Sequence, residues 1–190
     1  MLGVVFCGGK SIRMGTDKGL IPIRDKNWAR LSFEMLTSLD IPVVVSINAM
    51  QRAAYTEFFN ESLLIVDDDA LGVAGPLLGL LTAHSRYPNE NLLIVACDLP
   101  LMKAGLLNRL LLSKESAPGF EAYVFVNKGF REPLCTVYMA SGLLKLIQLL
   151  KAGSILQYSM RSALEMLSVF ELEVKDEERG AFENFNSRGL

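Results

Sequence analysis

Four short, almost unbroken apolar runs, at residues 3–7, 42–47, 63–66 and 92–97, alternate with segments of helical length at 28–39, 51–59 and 76–86. Strands that are apolar on both faces mark a parallel sheet covered on both sides. Parallel neighbours need a long crossover, which a helix supplies. The rhythm therefore predicts an α/β fold: a doubly wound, mainly parallel sheet, helices on both faces, with strand order 3-2-1-4. Trp28, Leu31, Met35 and Leu39 recur at helical spacing and are expected to face the sheet. Beyond residue 100 the rhythm loosens. A helix is expected over 104–112, strands over 122–127 and 133–139, and a helix capped by Ser141 running to 150. A further helix over 154–167, a strand over 169–174 and a charged loop over 175–180 follow. No Gly/Ser-rich linker divides the chain, so one domain over 1–190 is expected.

Composition narrows the function. The net charge is -2 over 190 residues, and 51% of the chain is hydrophobic, which argues for a packed core and against global disorder. A nucleic-acid-coating surface needs a basic excess that this chain lacks. No uncharged apolar stretch reaches the length of a membrane span, and the first residues carry no basic leader, so the cytoplasm is the expected compartment. Cys7, Cys97 and Cys135 form no CxxC pair and are expected to be free buried thiols. His84 is the single histidine, follows an apolar helical run, and is expected near a helix end. One histidine excludes histidine metal cages and HExxH proteases. With no GxSxG elbow, a serine triad has no support.

Chemistry concentrates in Gly8-Gly9-Lys10-Ser11-Ile12-Arg13-Met14-Gly15-Thr16-Asp17-Lys18, directly after the first strand. Glycines there turn the backbone sharply and expose N–H groups to an anion. Lys10, Arg13 and Lys18 repel one another unless solvated or matched by negative charge, and a polyphosphate would match them. The loop is neither GxxxxGK[ST] nor GxGxxG, so P-loop kinase and dinucleotide readings lose their support. By itself a solvated basic loop would explain it.

Three further polar positions end strands: Asn48 the second, Asp67-Asp68-Asp69 the third, Asp98 the fourth. Each alone reads as an ordinary turn or cap. Together they fall on one rim, where doubly wound sheets bind ligands at the switch point between strands. A lone Asp at such an edge suits Mg²⁺, which shares its oxygen ligands with substrate phosphates. The convergence points to a nucleoside triphosphate with Mg²⁺.

Phe6-Cys7-Gly8-Gly9-Lys10-Ser11-Ile12-Arg13-Met14-Gly15-Thr16-Asp17-Lys18 resembles the L-A-G-G-x-S-x-R-M-G-x-D-K signature of MobA-like nucleotidyltransferases. Gly75-Pro76-Leu77-Leu78-Gly79 is similar to their G-P-L-x-G, and Cys97-Asp98-Leu99-Pro100 to their C-D-x-P. Arg131-Glu132-Pro133-Leu134 and Phe182-Glu183-Asn184-Phe185-Asn186-Ser187 look like their E-P-L and F-x-N-x-N-T-P segments. The likeness is strongest to the molybdenum cofactor guanylyltransferases. It implies a nucleotide-binding half at 1–100 and an acceptor half at 101–190. It implies that the backbone at Phe6, Cys7, Gly8 and Gly9 meets the nucleotide, that Arg13 and Lys18 bind phosphates, and that Asn48 and Asp68 contact the guanosine. Asp98 would bind Mg²⁺ and nucleotide, with Arg13, Lys18 and Asp98 catalytic. Asn184 and Asn186 would lie near the pterin. The tail departs from the family in carrying Ser187-Arg188 for Thr-Pro.

The implied reaction moves GMP from GTP to the terminal phosphate of molybdopterin and releases pyrophosphate. GTP and molybdopterin are the implied small-molecule partners, with transient contact to other molybdenum cofactor proteins and none to nucleic acid or membrane. A cytidylyltransferase of the same fold, with a molybdopterin or alcohol-phosphate acceptor, is the nearest alternative. A nucleotide-binding protein without turnover is the alternative of another class.

Overall fold

The computed structural model of the chain describes residues 1–8 and 17–185. Its centre is one seven-stranded sheet, built from β1 (Leu2–Phe6), β4 (Val43–Ile47), β5 (Leu64–Val66), β6 (Leu92–Ala96), β7 (Ala122–Asn127), β8 (Phe130–Tyr138) and β9 (Val169–Glu173), in the order β5-β4-β1-β6-β8-β7-β9. The first four strands are parallel and reproduce the expected 3-2-1-4 order. β8 runs antiparallel to both its neighbours, β6 and β7, and β7 pairs parallel with β9. A separate two-stranded hairpin, β2 (Pro22–Ile23) with β3 (Lys26–Asn27), leads into the first helix.

Strand alternation sorts the core into two layers. Val5 of β1 and Cys7 just after it pack on one face with Ala29 and Leu36 of α1 (Trp28–Thr37), Tyr55 of α2 (Arg52–Tyr55) and Leu107 and Leu110 of α4 (Ala104–Ser116). Leu2, Val4 and Phe6 pack on the other with Leu77 and Leu80 of α3 (Pro76–Arg86), Leu143 of α5 (Ala140–Lys151) and Ala163 of α6 (Met160–Glu165). Helices therefore cover both faces, as the doubly apolar strands require. No described helix is long and apolar enough to cross a membrane.

Local chemistry corrects several expectations. α1 stops at Thr37, because Thr37 and Ser38 hydroxyls bond back to Phe33 O and Met35 O and Asp40 turns left-handed. Its fully buried stripe is Trp28, Ala29, Ser32 and Leu36, one position round from the expected one; Leu31, Met35 and Leu39 are half-buried. The helix expected over 51–59 shrinks to the four residues of α2 behind a tight turn capped by Asn48. α4 runs past 112 to Ser116, and β8 begins three residues early at Phe130. α5 is entered from Met139, so Ser141 is inside the first turn and caps nothing. Of 154–167 only α6 is α-helical, opened by Ser159, whose hydroxyl accepts from Ser162 N–H at 3.0 Å. The expected charged loop at 175–180 winds into a 3-10 turn over Asp176–Phe182 that inserts Phe182 into the core. His84 lies buried in the last turn of α3, near the helix end as expected, and burial lowers its pKa. All three cysteines are buried free thiols, as expected.

Candidate active site

The rim is assembled from the carboxyl ends of β1, β4, β5 and β6. Where β1 ends, the N–H groups of Cys7 and Gly8 both donate to Ser46 O on β4, at 2.9 and 3.1 Å. These two donors, expected to meet the nucleotide, are engaged in the sheet edge. Phe6 and Gly8 face a cavity instead. Residues 9–16, with Gly9 and Arg13, lie outside the described residues, and the chain resumes at Asp17.

Asp17 is held from three sides. Its Oδ1 accepts from Gly19 N–H at 2.9 Å and from the Tyr55 hydroxyl at 3.0 Å, and its Oδ2 accepts from Gln51 Nε2. Gln51 Nε2 also donates to Cys7 O at 2.9 Å, tying the exit of the glycine loop to its entry. Gln51 is in turn locked by reciprocal bonds with Asn48, whose side chain accepts from Gln51 N–H while Asn48 N–H donates to Gln51 Oε1. Tyr55 is fully buried, and burial holds its phenol protonated far above the ordinary range. A β-carbon on Gly19 would sit 2.1 Å from the Tyr55 hydroxyl, so only glycine fits there.

This bracing positions Lys18. Its Nζ lies 3.0 Å from Asp98 Oδ2, with the two side chains 26% and 20% exposed. Asp98 sits in the turn directly after β6, two strand steps from β4, so the loop cation and the lone carboxylate share one crevice. The C-terminal segment closes over the same turn. Phe185 N–H donates to Asp98 O at 3.2 Å, and the Phe185 ring meets Trp28 edge-on, 6.4 Å between centroids. Asn184 is exposed beside that contact, and Asn186 lies outside the described residues. Among the described residues no cluster of three His, Cys, Asp or Glu could cage a metal. Asp98 on its own fits Mg²⁺, which binds through one or two carboxylates plus substrate phosphates.

On the other side of β1 a cavity of about 660 Å³ opens, lined among others by Phe6, Gly8, Ser46, Asn48, Asp67 and Gly79. No Lys or Arg is among its described lining residues. Asp67 follows β5. Its Oδ1 is shut off from solvent and has no hydrogen-bond partner, and its pKa is raised to about 6, by burial first and by Asp69 second. Asp68, the member of the triplet expected to touch guanosine, is exposed and caps the next turn, accepting from Ala70 N–H at 3.1 Å. Asp67 and Asp69 line the cavity and Asp68 does not, because successive residues leaving a strand alternate sides.

The structure thus unites Lys18 and Asp98 directly and sets Phe6, Gly8 and Asn48 on the adjoining cavity. Asp67, Gln51, Tyr55 and Gly19 were not singled out from the sequence. The acidic triplet was a visible signal, but its register was not. Gln51 and Tyr55 read only as helix positions.

Comparison with known proteins identifies the family and the fold. Residues 3–169 match the family described as the MobA-like NTP transferase domain. A molybdenum cofactor biosynthesis bifunctional protein of Synechocystis is 31% identical over 138 residues, which cover 73% of this chain and 39% of that protein. A molybdenum cofactor guanylyltransferase of Shewanella piezotolerans is 32% identical over 109 residues, covering 57% of this chain and 52% of that protein. The matches thus span about half or less of these curated relatives. The crystal structure of molybdopterin-guanine dinucleotide biosynthesis protein A from Archaeoglobus fulgidus superposes with a TM-score of 0.78 at 23% identity, over 99% of this chain and 93% of that one.

Proposed function

We propose, from the premise that this chain belongs to the family of MobA-like NTP transferase domains, that it transfers GMP from GTP to the terminal phosphate of molybdenum-carrying molybdopterin. The observation that carries this reading is the Lys18–Asp98 pair set beside a cavity whose described lining is free of cations. A triphosphate belongs at the first and an uncharged base at the second. From β6 to β5 is three strand steps, roughly 14 Å at about 4.8 Å per step, which suits an extended nucleotide lying across the edge.

The attacking group is a phosphate oxygen that is already anionic, so no protein base is needed, in keeping with a chain whose one histidine is buried in α3. The oxygen adds in line to the α-phosphorus of GTP. The bond from that phosphorus to the bridging oxygen breaks, and pyrophosphate leaves with the electron pair. Lys18 meets charge that builds on the phosphates, and its position is fixed in advance by the Asp17–Gly19–Tyr55 bracing, which is the condition for effective electrostatic catalysis. Asp98 would hold Mg²⁺, which supplies Lewis-acid neutralisation of phosphate charge. Arg13 and Gly9 keep the phosphate-side roles the resemblance implies, and Asn48 and Asp68 the guanosine-side ones. Asn184 and Asn186 keep the acceptor-side roles the resemblance implies, and Asn184 precedes Phe185, whose N–H meets Asp98 O.

Thermal unfolding with GTP, CTP, ATP and UTP in Mg²⁺ tests the nucleotide. A ligand bound only by the native state raises apparent stability, by about 2.7 kcal/mol at 100 times its Kd. GTP is expected to give the largest shift. A larger shift with CTP would replace the guanylyl reading by the cytidylyl one.

A further inference from the structure

Neither the Lys18–Asp98 pair nor the cavity beside β1 involves the Glu132-Pro133-Leu134 segment of β8. β8 runs antiparallel to both β6 and β7, so Asn127 at the end of β7 and Asp98 just after β6 stand on the same rim. There the β7–β8 ladder is interrupted. Val124 pairs with Thr136 and Val126 with Arg131, so the four residues from Glu132 to Cys135 stand opposite Phe125 alone. Pro133 has no N–H to give to the ladder. Two carbonyls of the bulge are taken by hydroxyls instead: Thr136 Oγ1 donates to Glu132 O at 2.8 Å, and the Tyr138 hydroxyl to Pro133 O at 3.0 Å. Thr136 and Tyr138 are fully buried, so the distortion is held from inside the fold. A bulge beside an active site serves to re-aim a side chain, and Glu132 opens this one.

The Glu132 side chain is half-buried, and its Oε1 accepts from Asn127 Nδ2 at 3.2 Å. Asn127 keeps that bond although its own Oδ1 is shut off from solvent without a donor. Among the described residues no cation pairs with Glu132, and no donor reaches its Oε2, which is open to solvent. Burial raises the pKa of the carboxyl, and the Asn127 bond offsets part of the rise. A partly desolvated carboxylate without a cation is unfavourable in the free protein. Such a group persists at a site where a ligand supplies donors.

We propose that Glu132 selects the acceptor, its carboxylate receiving the ring N3–H and 2-amino hydrogens of the pterin. Oε2 takes one of them, and Oε1, which has a second lone pair besides the one facing Asn127, takes the other. The inference rests on the guanylyl reading above, in which the nucleotide extends from Asp98 towards β5 and the acceptor approaches from the other side, over β8 and β7. From β6 to β7 is two strand steps, roughly 10 Å at about 4.8 Å per step. A phosphate at Asp98 and a ring at Glu132 thus belong to one extended acceptor. A 2-amino-4-oxo ring sets two adjacent N–H donors on one edge, which matches the two oxygens of a carboxylate. An alcohol phosphate offers hydroxyls and no such edge. A site built to hydrogen-bond a donor rejects an analogue lacking it far more strongly than an apolar pocket rejects a misfit.

The test is a cycle of ligand and protein changes on the full chain, with Glu132→Gln and Glu132→Ala as variants. Gln keeps an oxygen for Asn127 but turns an NH₂ group towards the ligand, so it spares the fold and removes the acceptor. Pyrophosphate release is followed in Mg²⁺ with molybdenum-loaded molybdopterin varied at saturating GTP, and then with GTP varied. Pterin and lumazine, which carries a 2-oxo group in place of the 2-amino group, are compared as competitive inhibitors. In Glu132→Gln the KM for molybdopterin is expected to rise at least about tenfold, on the scale of a lost hydrogen bond to a charged group. The KM for GTP and the melting temperature should stay near the parent values. The parent should bind pterin about tenfold tighter than lumazine, and both variants should bring the two within about twofold. A merely structural role would lower the melting temperature or raise both KM values together, and would leave the pterin-to-lumazine ratio intact. A parent that turns over GTP with molybdopterin, with variants that keep the acceptor KM or the ratio, would overturn the role of Glu132 and leave the guanylyl reading standing. A parent that releases no pyrophosphate with molybdopterin would overturn both.

Discussion

Lys18 Nζ and Asp98 Oδ2 are 3.0 Å apart although 80 residues of chain separate them. One leaves the glycine loop after β1, the other ends β6, and the parallel pairing of those two strands brings them together. Both side chains are partly solvated, so the pair itself contributes little to folding, under about 1 kcal/mol. Lys18→Met and Asp98→Ala should therefore leave the melting temperature nearly unchanged. Turnover, followed as pyrophosphate release, should fall on the order of 10²–10³, as when one charge-stabilising contact is removed from a transition state. Near-normal turnover in both variants would remove the pair from the reaction.

The close approach of Gly19 to Tyr55 gives a second outcome. Gly19→Ala places a β-carbon 2.1 Å from a hydroxyl at the end of a fully buried ring, which cannot swing away. Tyr55→Phe removes the 3.0 Å bond to Asp17 and should cost about 1 kcal/mol. Gly19→Ala should cost more, and adding Tyr55→Phe to it should recover part of the loss, since the clashing oxygen is gone. Melting temperatures of the two single variants and the double variant check this; a double variant worse than either single one contradicts it.

Asp67 makes stability depend on pH in a stated direction. Its folded pKa, raised to about 6 from 3.8 by burial and then by Asp69, means that the folded protein binds this proton more tightly than the unfolded chain does. The group therefore destabilises the fold above pH 6, and the penalty fades as pH falls from 6 towards 4. Asp67→Asn should melt higher than the parent at pH 7.5, by about 1 kcal/mol after allowing for partial solvation. The gap should shrink to about a third by pH 4.5 and close below pH 3.8. An unchanged gap across that range would mean that burial of the charge is not the cause.

Gly79→Ala narrows the cavity beside β1. The added carbon would lie 2.8 Å from Ser46 Oγ. Helix propensity favours alanine by about 1 kcal/mol, so stability should hold. Nucleotide affinity should drop several-fold, and Ser46→Ala in the same chain should restore part of it. Titration of GTP into the parent, the single and the double variant measures both effects.

The C-terminal segment yields a fifth expectation. Phe185→Ala removes the edge contact to Trp28 and loosens the strand of chain bonded to Asp98 O. The KM for the pterin acceptor should rise several-fold while the KM for GTP moves less, which steady-state kinetics with each substrate varied would show.

The strand order and the Lys18–Asp98 meeting were legible because they follow from chain-wide periodicity, which survives local noise. α3, with Pro76 at its start and Arg86 in its last turn, was read to the residue. The short elements were not. The β2–β3 hairpin hides in Pro22-Ile23-Arg24-Asp25, where left-handed Arg24 does the work usually assigned to glycine or asparagine. The shrinking of 51–59 to one turn follows from the capping of Asn48 by Gln51, a pairing that depends on Asp17 arriving from 34 residues away. Which residues of the acidic triplet line the cavity is set by the register of β5 on β4, not by the triplet itself, so the sequence does not tell Asp67 from Asp68.

The most direct measurement is pyrophosphate release by the full chain with molybdenum-loaded molybdopterin as acceptor, run with GTP and with CTP in Mg²⁺. Release with GTP at a kcat/KM at least tenfold above that with CTP is the expected result. Release with CTP alone, or nucleotide binding without release from either, would contradict the assignment of this edge to guanylyl transfer.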